Sequence, residues 1–350
     1  MKPSSTYFMI LTISILLYGC MSSVSVQVMK PADITLPDHI NKIAVANRSL
    51  SDKDNKVMNV VEGILTGEGL FMDRIGSDEC IGGITDVLVE SPRFDVIRPA
   101  NVELKGTGTS AFPTPLDWDE VTRICALSDA DALLLLEAFD SDSDIGIEMK
   151  KSESKDKEGN VVVNIEHLAN MKMKVSSGWR IYDPKTKVII DEHKASDYMD
   201  FNAEGKSPEE ARSHLIPKRD AVNKTGYYAG QQYGYRIAPM WIRVSRSYYA
   251  KGCDDMKIAT RKARANNWDG AAEIWKKLAE RSNVEKLKSR NSYNMALASE
   301  ISGNLDIALM WARKSYEDYG NKKARSYIRV LERRISDEER LKEQIGTKQP

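Results

Sequence analysis

The 350-residue sequence has few of the residues that usually carry chemistry. Its four histidines, His39, His167, His193 and His214, are scattered, and no two stand at the spacing of a zinc site. Of its four cysteines, Cys80, Cys125 and Cys253 remain once Cys20 is set aside. That odd number excludes a disulfide framework, although one pair could close in an oxidising compartment. There is no net charge, since 51 Lys and Arg balance 51 Asp and Glu, which removes the broad positive field of a nucleic-acid binder. No Gly-x-Ser-x-Gly nucleophile elbow occurs, and Gly67-Glu-Gly69 lacks the remaining spacing of a phosphate loop. Beyond residue 20 no apolar run is long enough for a transmembrane helix. These absences point to a chain that is not an enzyme, with no cofactor and no nucleic-acid partner. A Ser/His/Asp triad assembles in space rather than in sequence, so a hydrolase of unknown substrate stays as a second alternative.

One apolar stretch is present, at the start. Lys2 supplies a thin positive region, and Tyr7 to Leu17 form an apolar core too short to span a membrane comfortably. Leu17-Tyr18-Gly19-Cys20 resembles the lipobox of bacterial lipoproteins. The resemblance implies a signal peptide over 1–19, acylation of Cys20, and an anchor made durable by several acyl chains where one holds weakly. The residues that follow, Met21 to Val26, carry no charge and so no acidic surface-export tag. By that resemblance the expected place is the cell envelope, anchored in the outer membrane and facing the periplasm.

Charge is unevenly spread. From residue 251 onward there are 22 Lys and Arg against 15 Asp and Glu, whereas residues 20–250 carry 28 against 36. Opposite signs favour docking of the two segments, or an acidic partner for the basic one. In the first segment Lys42–Asn47, Phe94–Ile97 and Ala130–Leu136 read as strands. Between them lie helical patterns at Val57–Ile64, at Ile84–Leu88, and after Leu116-Asp117, where Asp117 and Glu120 have capping-box spacing. The run Ala-Asp-Ala-Leu-Leu-Leu-Leu136 is apolar enough for a central strand covered on both faces. Val161–Glu166 and Lys172–Tyr182 are strand-like, and the turn Asp183-Pro184-Lys-Thr-Lys187 with Val188–Ile190 completes a β-hairpin. Ser207-Pro208 opens a helix, Ala221–Tyr235 continues helically, and Trp241–Tyr249 closes as a strand. Lys151–Asn160 is expected to be a charged loop. The expected fold is therefore an α/β or α+β head, a mixed sheet with packed helices, over residues 41–250.

This order of elements, with Lys-Ile-Ala-Val, Arg-Phe-Asp-Val-Ile-Arg and Asp-Ala-Leu-Leu-Leu in its strands, resembles the α/β domain of curli-secretion-type periplasmic lipoproteins. It is still more similar to a family of uncharacterised bacterial lipoproteins that join such a head to a helical-repeat tail. That second resemblance brings no activity with it. No long hairpin of the kind a secretion pore needs is evident in the sequence.

From residue 251 to 350 the expectation is an all-α unit. Asn267-Trp268-Asp-Gly-Ala271-Ala272-Glu-Ile-Trp275 resembles the second helix of a tetratricopeptide repeat, and Gly303-Asn304-Leu305-Asp-Ile-Ala308-Leu309-Met-Trp311 repeats it. Aligning Ala271 with Ala308 gives a period of 37, against 34 for that family. Ala324–Gln344 would be a capping helix. Two candidate sites remain. Asp140, Asp142 and Asp144 alternate as oxygen ligands for a hard cation could, but the EF-hand glycine comes one residue late and Lys151 stands where a closing Glu belongs. Arg325, Arg329 and Arg333 line one side of the last helix as candidate protein-binding residues. The reading is a membrane-anchored periplasmic adaptor whose repeat tail holds a protein partner. An oligomeric component of an envelope secretion or assembly machine is the first alternative, with residues 20–40 as lipidated terminus and first strand.

Overall fold

The computed structural model describes residues 21–50, 64–100, 102–155 and 157–345. The expected signal peptide, Cys20 and the helical pattern expected over Val57–Val61 lie outside the described residues. The chain forms two compact units. One joins the segment up to Pro31 to Trp241–Glu343; the other is Ala32–Met240 with the residues from Gln344. The head is thus an insertion, and the boundary expected at Ala250/Lys251 falls ten residues earlier on one side, with a second at Pro31/Ala32.

The inserted unit is built on a five-stranded sheet. Its strands are β2 (Lys42–Asn47), β3 (Asp95–Ile97), β4 (Ala132–Lys155), β5 (Val161–Asp183) and β6 (Val188–Gly205), in the order β3-β2-β4-β5-β6. β2 pairs in parallel with both β3 and β4, and β4, β5 and β6 follow antiparallel. The parallel part needs crossovers, supplied by helices α1 (Ile64–Glu90) and α2 (Trp118–Ser128). Asp117 caps α2 by accepting from the Asp119 N–H at 2.8 Å.

Leu134 and Leu136 of β4 face one core with Ile84 and Leu88 of α1. Leu133 and Leu135 face the other, with Val121 and Ile124 of α2. This is why the Leu run shows no alternation: both of its faces are buried. Two further helices, α3 (Pro208–Ser213) and α4 (Lys218–Ile237), complete the unit, and α4 packs on α1. Their backbones nearly touch. A Cβ on Gly230 would stand 1.9 Å from the Cys80 carbonyl oxygen, so only glycine fits there.

The second half of the sheet departs from expectation. β4 and β5 stay paired out to Lys155 and Val161, and β6 runs alongside β5 to Gly205 rather than stopping at Ile190. Lys151–Lys155 is therefore strand, not loop, and the sequence does contain a long hairpin. Over Glu148–Lys155 and Val161–Glu166 every residue is exposed. That tip extends the sheet by roughly 25 Å past its covering helices. Charged and serine-rich composition argued for a loop, but an exposed antiparallel pair satisfies its backbone across the ladder whatever its side chains.

The second unit contains a two-stranded sheet of β1 (Met21–Lys30) and β7 (Met240–Tyr249). Its helices are α5 (Asp254–Arg264), α6 (Trp268–Arg281), α7 (Glu285–Ile301), α8 (Leu305–Glu317) and α9 (Lys322–Ile345). From α5 to α8, successive helices pack on one another and are joined by short turns. Ala271 and Ala308 are fully buried, and Trp268, Trp275 and Trp311 fill the space beside them. Val26 and Val28 of β1 and Tyr248 of β7 belong to the same core. β7 therefore closes this unit, not the head.

Candidate functional site

The two sets of charged candidates sit on regular elements. Asp140, Asp142 and Asp144 lie on β4, on one face of an extended strand, about 7 Å apart in succession. At that spacing they cannot converge on one ion. Asp142 and Asp144 are directly opposite Lys174 and Lys172 on β5, so the face is a charge ladder. Among the described residues no three His, Cys, Asp or Glu group as metal ligands. Arg325, Arg329 and Arg333 lie exposed along α9, with the Arg325 guanidinium 5.9 Å from the Tyr316 ring centre.

The histidines stay apart. His39 Nε2 lies 3.0 Å from Asp183 Oδ2, His214 Nδ1 lies 2.9 Å from the Glu204 carbonyl, and His193 stacks on Tyr233. Cys80, Cys125 and Cys253 are free thiols. Cys80 and Cys125 belong to the cores on opposite faces of the sheet, which rules out a bond between them. Burial pushes the Cys80 thiol well above its ordinary value and the Cys125 thiol to about 12, so both are inert at neutral pH.

The sequence reading missed two buried carboxylates. Glu137 sits where the β4–β5 register shifts between Leu136 and Ala138, and its side chain is fully buried. Arg48 Nη1 donates to its Oε2 at 3.0 Å and the Tyr182 hydroxyl to its Oε1 at 2.5 Å. Arg180 Nη1 stands 3.6 Å away. Arg180 also donates to Glu192 and the Pro113 carbonyl, with its guanidinium over Phe112. Burial and the Glu137 partner push the Tyr182 hydroxyl up to about 12.

In the helical unit Glu300 of α7 is equally buried. Arg246 of β7 donates to both of its oxygens, Arg334 of α9 to Oε1 at 2.9 Å, and the Tyr327 hydroxyl to Oε2. Burial alone would raise this carboxyl, but these donors hold it below the usual range. Every partner of both carboxylates is a fixed side chain, which marks them as structural centres.

The inner face of the helical unit is also occupied. The Asn294 side chain bonds both the N–H and the carbonyl of Tyr249, each at 2.8 Å. Tyr249 meets Tyr293 edge-on, and Tyr248 packs against Trp268 and Trp275. The groove that paired helices offer a partner is filled here by the chain's own strands β1 and β7. The helical sequence pattern could not reveal this, because the filling segments lie outside it.

The tip of the arm formed by β4 and β5 carries a group of exposed apolar side chains. Met149, Val161, Val163 and Ile165 are 58, 59, 53 and 47% exposed. The register puts all four on the face that carries Met171 and Met173 into the core further in. The apolar stripe thus continues after its covering helices end. Opposite Ile165, Val163 and Val161 stand Lys151, Glu153 and Lys155. The face is an apolar row beside a charged one. A shallow cleft of about 470 Å³ lies in the helical unit between Gly303–Ile307 and Ile335, Glu338, Glu339 and Lys342 of α9.

A family model described as a domain of unknown function (DUF8603) matches residues 40–249, and a second, also of unknown function (DUF6340), matches residues 257–333. No curated protein matches the sequence. Among solved structures, a protein from Caulobacter crescentus CB15 described as a "putative lipoprotein" is 10% identical, over 55% of this chain and 84% of that one, with a TM-score of 0.21. The hypothetical protein CT253 from Chlamydia trachomatis is 13% identical, over 56% and 96%, with a TM-score of 0.22. Likeness at this level carries no argument about fold or function.

Proposed function

We propose that this chain, which belongs to the DUF8603 family of unknown function, is a lipid-anchored envelope protein that binds a protein partner without catalysis. The observation that carries the reading is the exposed row Met149, Val161, Val163 and Ile165 on the β4–β5 arm. Contiguous apolar surface held clear of its own core is costly in water and marks an interaction site. The charged row beside it favours a protein over a bilayer, whose barrel walls present a continuous apolar band. The lipobox-like Leu17–Cys20 supports the anchor, and the uncharged residues after it support the periplasmic face. Exposed Arg325, Arg329 and Arg333 offer a second, acidic-partner contact.

Aspartate at Val161, Val163 and Ile165 should leave thermal melting unchanged and abolish co-purification of the partner after crosslinking. Retained capture would refute the reading. Cys20→Ser should release the protein from the detergent phase; continued partitioning with lipid would refute the anchor. A second reading, self-assembly through the arm, draws on edges of β6 and of the outer part of β4 that pair with no strand among the described residues. Lys150, Lys151 and Lys155 guard the β4 edge, which is why it stands second. Large assemblies by sizing in detergent would reverse that order.

A further inference from the structure

Met21 is already in β1, and Cys20 is the residue before it, so the two Cα atoms are about 3.8 Å apart. An acyl chain on Cys20 therefore presses the face around Met21 and Ser22 against the headgroup layer. That face is basic. Arg264 Nη2, at the end of α5, donates to Ser22 Oγ at 2.9 Å, and the Lys323 ammonium, in the first turn of α9, meets the Met21 sulfur. Arg261, one turn before Arg264, and Lys322, beside Lys323, are exposed as well.

The first turn of α9 holds no acidic residue. Two lysines there oppose the helix dipole. The acidic residues of α5, Asp254 and Asp255, lie at its opposite end. We infer that Arg264 and Lys323, with Arg261 and Lys322, form a headgroup-facing surface that binds anionic phospholipid beside the anchor. Charges a few ångströms from the headgroups lie inside one Debye length, roughly 8–10 Å, where attraction to anionic lipid is strongest. The surface rests on the reading of Cys20 as the lipid site, but its own binding can be measured without the lipid.

The test uses the chain from residue 20 with Cys20→Ser, mixed with vesicles of pure phosphatidylglycerol or pure phosphatidylcholine at low salt and sedimented. Binding to phosphatidylglycerol should exceed binding to phosphatidylcholine by about tenfold or more and weaken with salt. Arg264→Glu with Lys323→Glu should remove that difference. Lys276→Glu with Lys277→Glu on the exposed side of α6, the same charge change, should keep most of it. Arg264→Gln with Lys323→Gln, which spares the contacts to β1 any reversed charge, should fall between. Equal binding to both lipids, or equal loss in the α6 control, overturns the surface. So does a photocrosslinker at position 323 that captures a protein rather than lipid in cells. Loss of detergent-phase partitioning in Cys20→Ser is a separate readout, so failure of the anchor and failure of the surface are distinguishable.

Discussion

The two units solve the same packing problems with different residues. Each buries one carboxylate against two arginines and a tyrosine hydroxyl, Glu137 in the inserted unit and Glu300 in the helical one. Glu300 joins β7, α7 and α9, elements brought together only by folding. The arginines at Glu137 have close second partners: Arg48 the Lys105 and Thr114 carbonyls, Arg180 the Pro113 carbonyl and Glu192. Those at Glu300 have only longer ones, Arg334 with Glu338 at 3.8 Å and Arg246 with the Ser245 carbonyl at 3.4 Å. The helical unit therefore depends on its ion cluster more than the inserted unit does. The difference teaches where each unit is brittle: the helical unit at one carboxylate, the inserted unit at a backbone contact.

The largest effect should follow Glu300→Gln. It leaves the partly buried Arg246 and Arg334 facing a neutral group in place of a fully buried carboxylate and should cost about 3–5 kcal/mol in thermal or urea unfolding of the helical unit. A cost near zero would end the comparison. Gly230→Ala should follow at about 3 kcal/mol, because a methyl cannot coexist with the Cys80 carbonyl without parting α1 from α4. Unchanged melting of the inserted unit would show that those helices separate freely. Glu137→Gln should cost less than Glu300→Gln, about 2 kcal/mol, since its arginines keep carbonyl acceptors. Equal costs would mean that the alternative partners contribute nothing.

The smallest effect separates the units by pH. Burial raises Asp73 on α1 and Asp197 on β6 to about 6 from an ordinary 3.8. Their folded forms hold protons that the unfolded chain has lost, so this contribution to the inserted unit weakens as pH rises from about 4 to about 6. Glu300 has the opposite sign: its lowered value gives the helical unit stability that is present above the ordinary glutamate range and lost as pH falls. Asp197→Asn should therefore stabilise the inserted unit at pH 7 by about 1 kcal/mol, discounted for its partial exposure, and not at pH 4. Stabilisation at both pH values would trace the effect to something other than charge.

Much of this architecture was legible in the sequence, for identifiable reasons. The Leu133–Leu136 run announced a strand buried on both faces, and Ala271 with Trp275 and Ala308 with Trp311 announced close-packed helices. Asp117 and Ser207 marked helix starts that the structure keeps. Composition misled where the backbone had partners far along the chain. Lys151–Lys155 looks like a loop by charge, yet its ladder partners on β5 fix it as strand. β1 and β7 could be recognised as strands but not as one sheet, since more than 200 residues separate them. Glu137 and Glu300 were missed, although they stand in apolar or small-residue surroundings in the sequence. Their burial depends on arginines elsewhere in the sequence, which no spacing rule connects.

The central claim is that the arm's apolar face holds a protein partner, and one in-cell experiment addresses it. A photocrosslinking residue is placed at Val163, on the apolar face, and in a parallel strain at Lys174, on the charge-ladder face opposite. The account predicts a discrete protein adduct from Val163 and none from Lys174. No adduct at Val163, or the same adduct from both positions, would contradict it.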